Sequence, residues 1–305
     1  MTEEIESSKD VFSAGTARKV VAVPYVADPK DLPSRLPTKE EIESSKDVFS
    51  EATDRKVVGV GQHFVVKYGR MVDPIEGQTI LFVQRNTSVP VPRIYAIYND
   101  ISDCKIYIVM ERITGESLET LWPKMSEAER RIISEKLRES VDQLRGLSSP
   151  GSYCSLGNRG LLDDLFWTGN STGSRSIECL FGTEDELNAA MLKKYLSSTG
   201  LPGRASLYER AFRQFFCDHP PTFTHGDFQR KNIIVRADGQ ALEDIEVVLI
   251  DWKYSGWYPS YWEYAMALIP NSKWDNDWDR WIAMILDEYL LEWSWMKIYV
   301  YDLFS

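Results

Sequence analysis

Hydrophobic and polar positions change their period several times along this chain, and each change marks an element. Thr38 to Val48 carries its acids early, which predicts a short helix. Lys56–Val60 and His63–Lys67 are apolar runs on either side of Gly61-Gln62 and predict two strands around a turn. Ile75–Thr87 has helical spacing, with Ile75, Thr79, Phe82 and Val83 as its apolar stripe, and Val89-Pro90-Val91-Pro92 ends it. Tyr95–Tyr98 and Ile106–Met110 predict the next strands, and Glu111 to Glu116 a connection. Beyond it the pattern is mainly helical, over 117–122, 126–147, 184–199, 204–217, 260–269 and 277–300. Residues 222–251 interrupt that pattern as a β island. There the apolar runs Ile233-Ile234-Val235 and Val247-Val248-Leu249-Ile250 flank a turn, Ala237-Asp238-Gly239-Gln240.

The chain also repeats itself once. EEIESSKDVFS occurs at 3–13 and again at 40–50, a shift of 37. Past it, Thr16, Arg18, Lys19, Val20, Val21 and Val23 match Thr53, Arg55, Lys56, Val57, Val58 and Val60. A period found twice is no solenoid. The second copy runs on into VGQHFVVKYG, the first into the Pro-rich PYVADPKDLPSRLP, with no lysine-bearing strand. Residues 1–37 therefore read as a duplicated extension, partly disordered or packed on the domain that follows. The division expected is 1–37, a smaller domain over 38–113 and a larger one over 114–305.

With 305 residues, 43% hydrophobic, the chain is long enough for two lobes around a cleft. A net charge of −11 argues against nucleic acid and suits a cationic ligand. No apolar run approaches the ~18 residues a membrane helix needs, and the acidic N-terminus is no secretory signal. The four scattered cysteines read as reduced thiols, as expected in the cytoplasm. Three histidines are too few for a His-rich metal centre.

The densest chemistry lies in His225-Gly226-Asp227-Phe228-Gln229-Arg230-Lys231-Asn232, followed after the hairpin by Asp251-Trp252. Pairing the two strands brings Asn232 and Asp251 close together. Phosphoryl transfer from ATP uses such a set: one carboxylate takes the proton of the attacking hydroxyl, while an amide oxygen and a second carboxylate hold Mg²⁺. Lys67 ends the run Phe64-Val65-Val66-Lys67 as a candidate phosphate cation, with Glu76, at the start of the next helix, as its ion-pair partner. Gly59 and Gly61 form a lone G-x-G, which reads as a tight hairpin turn. His63 reads as a turn residue.

H-G-D-x-x-x-x-N followed by I-D-W resembles the signature of the aminoglycoside phosphotransferase/choline kinase family. The segments VPVPRIYAIY, IVMERITG and DWKYSGWYPSYWEYA look like its large fungal branch, and the likeness extends from about Leu36 to near the C-terminus. It implies an α+β, bilobal protein-kinase-like fold with a small antiparallel-sheet N-lobe and a larger, mainly helical C-lobe. It implies Asp227 as catalytic base, Asn232 and Asp251 as magnesium ligands, and Lys67 with Glu76 on the nucleotide phosphates. His225 is then structural, and Met110, Glu111, Arg112 and Ile113 form the base-binding strand through backbone groups, with ATP as donor and GTP not excluded. Gly226 replaces the Arg of the protein-kinase H-R-D, which favours a small-molecule acceptor over a protein.

Eight of the ten tryptophans follow residue 250, with acids interleaved. Trp274, Trp278 and Trp281 have the spacing of a helix face packed on the core; the competing reading is an aromatic, acidic cage for a cation. Trp257, Tyr258 and Glu263 are the acceptor-side candidates, with Asp163 and Asp164 behind them. The function expected is an ATP- and Mg²⁺-dependent kinase acting on a hydroxyl of a small metabolite. The competing readings are a kinase-like binding protein without chemistry, and an enzyme that reuses the cleft for another reaction.

Overall fold

The computed structural model describes residues 22–166, 180–237, 245–270 and 277–304. The chain divides into two compact units. One holds the residues up to Phe82 together with Pro92–Ile113, the other Val83–Val91 together with the chain from Thr114 onward.

The first unit is an antiparallel sheet. Its strands are β1 (Tyr25–Val26), β2 (Val48–Ala52), β3 (Arg55–Val60), β4 (Phe64–Gly69), β5 (Ile94–Asp100) and β6 (Lys105–Glu111), in the order β1-β5-β6-β4-β3-β2. The expected strands and the turn at Gly61-Gln62 are present. Helix α1 is shorter than its pattern suggested and covers Lys39–Glu43. Thr38 and Glu41 form a reciprocal capping box that starts it. Ser44 and Ser45 stop it, the first bonding back to Glu40 O and the second donating to Gly59 O at 2.6 Å. Residues 44–47 of the expected helix form a turn and a connection instead, and Val48 opens β2, an edge strand the pattern did not predict.

Strand alternation divides β4 between two faces. Phe64, Val66 and Tyr68 join Ile42, Val58, Tyr95, Tyr107 and Val109 in one core, with Leu32 and Leu36 packed against it. Residues of the N-terminal extension thus contribute both an edge strand, with Tyr25 opposite Ile97, and part of the cover of this face. Glu43 fastens α1 by accepting from Lys105 Nζ at 2.5 Å and Tyr107 Oη at 2.9 Å. The odd positions of β4 carry Val65 and Lys67 to the opposite face.

Helix α2 (Ile75–Asn86) runs from the first unit into the second. The second unit then begins with β7 (Glu116–Ser117), α3 (Leu118–Leu121) and α4 (Glu127–Arg145). Ser126 and Glu129 cap α4 reciprocally, and Ile133, Leu137, Val141 and Leu144 are its buried stripe. Helices α5 (Glu184–Thr199) and α6 (Pro202–Phe215) follow. Strands β8 (Pro221–Thr224), β9 (Ile233–Ala237), β10 (Ile245–Leu249) and β11 (Gly256–Pro259) come next, and α7 (Trp262–Leu268), α8 (Trp278–Ile285) and α9 (Leu290–Phe304) end the chain. β9 lies between β10 and β7, and β8 pairs with β11. Tyr195, Tyr208, Phe212 and Tyr299 sit at the centre of the main core.

The tryptophans of α8 are packing residues. Trp278 and Trp281 are buried against Trp122, with ring centroids 4.9 and 5.8 Å away. Asp277 holds the cluster by accepting from Trp122 Nε1 and Trp281 Nε1, each at 2.9 Å, and from Arg130 Nη1 at 2.8 Å. Trp274 lies outside the described residues. No helix among the described residues is long and apolar enough to cross a membrane.

Candidate active site

β8 delivers the chain into His225-Gly226-Asp227, and one turn of 3-10 helix, Arg230–Asn232, leads into β9. In the β9–β10 ladder Ile233 faces Leu249, and beyond it Ile250 N donates to Asn232 O at 3.0 Å. The register therefore brings Asn232 level with the residue before Asp251, as the sequence spacing predicts. Asn232 Nδ2 donates to Asp227 O at 2.9 Å and to Asp227 Oδ2 at 2.8 Å. Gln229 Nε2 donates to Asp227 Oδ1, and Lys231 Nζ stands 3.7 Å from Oδ2. Both carboxylate oxygens are held, yet each keeps a further lone pair for a hydroxyl.

His225 ties this loop to the segment that follows β10. Its Nδ1 accepts from Asp227 N at 3.3 Å, so Nε2 carries the proton and donates to Ile250 O at 3.0 Å. Burial holds its pKa below the ordinary value, against the pull of Asp227 and Asp251. Both nitrogens of the neutral ring are engaged in holding the loop. Gly226 has φ +84°, and a Cβ there would lie 2.5 Å from Tyr254 O, so no other residue fits. Asp251 also adopts left-handed backbone, φ 63° and ψ 64°, which for a non-glycine costs about 1–3 kcal/mol.

Glu263, on α7, lies under the loop and accepts from His225 N at 2.5 Å and Gly226 N at 3.2 Å. Burial raises its carboxyl from 4.5 to about 7 despite those two bonds. An acid raised in this way binds its proton more tightly folded than unfolded. Its contribution to stability is full below 4.5 and is lost as pH rises towards 7. Urea unfolding of wild type and Glu263→Gln across that window should give a wild-type-minus-variant difference that falls with rising pH. A flat or rising difference would contradict the assignment.

In the first unit Lys67 Nζ lies 2.6 Å from Glu76 Oε2, with side-chain exposures of 6% and 4%. The expected ion pair is formed and buried. Met110 ends the β6 core. The N–H groups of Glu111 and Arg112 donate to Arg93 O and His63 O, each at 2.8 Å, so recognition of a base through those two groups would require opening the sheet.

The acceptor-side expectations need correction. Trp257 and Tyr258 are fully buried on β11, the first against Phe223 at 4.9 Å, the second donating its hydroxyl to Tyr254 O at 2.8 Å. The two rings point to opposite faces of β11, and both faces are covered, the second by Trp262. Glu263 is turned to the backbone of the loop. Asp163 is also buried, accepts from Leu165 N at 3.0 Å, and is pushed by burial up to about 6. The sequence does hold a signal for Glu263: an acid among Tyr261, Trp262 and Tyr264 is an acid in an apolar setting, which requires donors.

The atoms present suit a magnesium ion. With Nδ2 committed to Asp227, Asn232 keeps its carbonyl oxygen, and Asp251 offers a carboxylate; both are hard oxygen donors, and magnesium takes its remaining ligands from phosphate and water.

A family model described as "Phosphotransferase enzyme family" matches residues 74–299. Among solved structures, the apo form of a thermostable mutant of aminoglycoside phosphotransferase APH(4)-Ia is similar at TM-score 0.55 and 14% identity, over 86% of this chain and 89% of that one. The GDP and kanamycin complex of APH(2")-IIia is similar at TM-score 0.57 and 13% identity, over 85% of each chain. A ternary complex of a thermostable mutant of APH(4)-Ia, carrying an Asp-to-Ala substitution, with ADP and hygromycin B is similar at TM-score 0.51 and 15% identity, over 86% of this chain and 88% of that one. At these identities the likeness is one of fold. A search of curated proteins gave no match.

Proposed function

The chain belongs to the phosphotransferase enzyme family, and from that premise we propose that it transfers the γ-phosphoryl group of ATP to a hydroxyl of a small metabolite. The observation that carries this reading is the joining of Asp227, Asn232 and the Asp251 strand through side-chain and ladder hydrogen bonds. Asp227 accepts a hydrogen bond from the acceptor O–H and takes its proton as that oxygen attacks phosphorus. The new P–O bond replaces the bond to the β-phosphate oxygen, and ADP leaves. Asn232 and Asp251 hold magnesium, which when bound neutralises phosphate charge and orients the leaving group. Lys67, oriented by Glu76, supplies a cation for the non-transferred phosphates.

Relatives of the same fold are seen with ADP and with GDP, which supports a purine nucleotide donor and leaves GTP open. A net charge of −11 supports a cationic acceptor. The free thiols Cys104, Cys154 and Cys217 support a reducing compartment, and we place the reaction in the cytoplasm.

The test is incubation of the full chain with Mg-ATP and a panel of alcohols and amino alcohols, with phosphorylated product read by mass spectrometry. Product that requires both ATP and Mg²⁺ is the expected result. Conversion of an acceptor without ATP would overturn the reading.

A further inference from the structure

The face of the sheet that carries Lys67 is closed at its other end by a second ion pair. Lys67 lies opposite Val57 and Ile108, and Val65 opposite Gly59 and Met110. Residues directly opposite in an antiparallel ladder share a face, so Gly59 and Met110 lie on the Lys67 side. They stand two residues along the strand, about 7 Å from the lysine. A nucleotide with its phosphates at Lys67 would place its base in this region.

That space is filled. A Cβ on Gly59 would fall on Asp47 Oδ2 and lie 2.5 Å from Arg112 Nη1. Arg112 Nη1 pairs with Asp47 Oδ2 at 2.6 Å and donates to Gly61 O at 3.1 Å. Its guanidinium carbon stands 5.4 Å from the centre of the Phe49 ring, on edge strand β2 at the irregularity between Val48 and Ser50. A guanidinium is planar and stacks on an aromatic face as a purine does. The repeat fits this arrangement. Its first copy keeps Asp10 and Phe12 where the second has Asp47 and Phe49, but carries Ala22 in place of Gly59. The second copy, which forms β2 and β3, has at Gly59 the room that the pair needs.

We propose that Arg112, held by Asp47 against Phe49, closes the base end of the nucleotide site, and that a base binds by displacing the guanidinium and stacking on Phe49 in its place. The proposal rests on the reading of the chain as a nucleotide-dependent phosphotransferase. The latch is a weak one: the Arg112 and Asp47 side chains are 31% and 47% exposed, so bound nucleotide can open it.

Calorimetric titration of the full chain with ADP and Mg²⁺ tests it, with variants expected to move in opposite directions. Arg112→Ala and Asp47→Ala should tighten binding between about 1.4- and 5-fold. The double variant should match Arg112→Ala alone, because both changes release the same latch. Phe49→Ala should weaken binding about fivefold to 150-fold, the range for loss of a base–aromatic stack. Phe49 is 54% exposed, and thermal unfolding of each variant checks that the fold is kept. Binding by Arg112→Ala alone would be the strongest form of the expected result. Weaker binding by Arg112→Ala would make the guanidinium a ligand and overturn the latch, as would variants that all bind like wild type. No ADP binding by either wild type or Arg112→Ala would instead reject the nucleotide-dependent function itself.

Discussion

Asp227→Asn is expected to lower kcat by about 10²- to 10⁴-fold, the usual worth of a positioned general base, while leaving the affinity for ADP nearly unchanged. The amide is close in shape to the carboxylate. Oδ1 can still accept from Gln229, and the loop remains held by the His225 and Glu263 bonds to its backbone. What is lost is the atom that receives the proton. Asn232 loses an ionised acceptor as well, but keeps its bond to Asp227 O at 2.9 Å. Steady-state turnover and ADP titration on the same preparation separate the two effects. Undiminished turnover would remove Asp227 as the base. Loss of nucleotide binding in parallel with turnover would mean that the substitution had collapsed the loop.

The largest stability effect is expected at the buried ion pair of the first unit. Glu76→Ala leaves the Lys67 ammonium, about 6% exposed, without its carboxylate partner, and should cost about 3–5 kcal/mol. Replacing both partners by apolar residues, as Lys67→Met with Glu76→Leu, should cost far less, since desolvation of both charges is removed together. The double variant should nevertheless bind ADP poorly, because the phosphate cation has gone. Urea denaturation and ADP titration of the single and double variants give both readouts. A double variant as unstable as Glu76→Ala would show that packing, rather than charge burial, decides the site. A double variant that binds ADP like wild type would show that Lys67 does not meet phosphate.

The Asp227, Asn232 and Asp251 set was legible in the sequence because hairpin geometry is local. Two apolar runs around a turn can pair in one register that buries their inner faces, and that register aligns their ends. Lys67 and Glu76 were legible for a similar reason, since a strand and the next helix start are close in chain and few partners compete. The length of α1 was not legible. Acids early in a window announce a helix start, but its end was decided by serine side chains bonding to Glu40 O and Gly59 O, the latter a partner from another strand.

The acceptor-side residues show the sharper limit. Trp257, Tyr258 and Glu263 have the composition of a cation cage, and the sequence leaves their direction open. Trp257 and Tyr258 point to opposite faces of β11 and both faces are covered, the first by Phe223 and the second by Phe166 and Trp262, while the seat of α7 set Glu263 against the His225 and Gly226 N–H groups. The Arg112–Asp47 contact spans 65 residues, and Gly59, read as a turn residue, is in fact the clearance for it. By itself the sequence determined most of the elements, the family and the nearness of Asp227, Asn232 and the residue before Asp251, because periodicity and hairpin register act over short chain distances. Only the tertiary structure decided which acids are buried under the loop, which aromatics are core and where a guanidinium lies. Those outcomes depend on which faces meet, and burial changes the cost of a charge or a ring only once they have met.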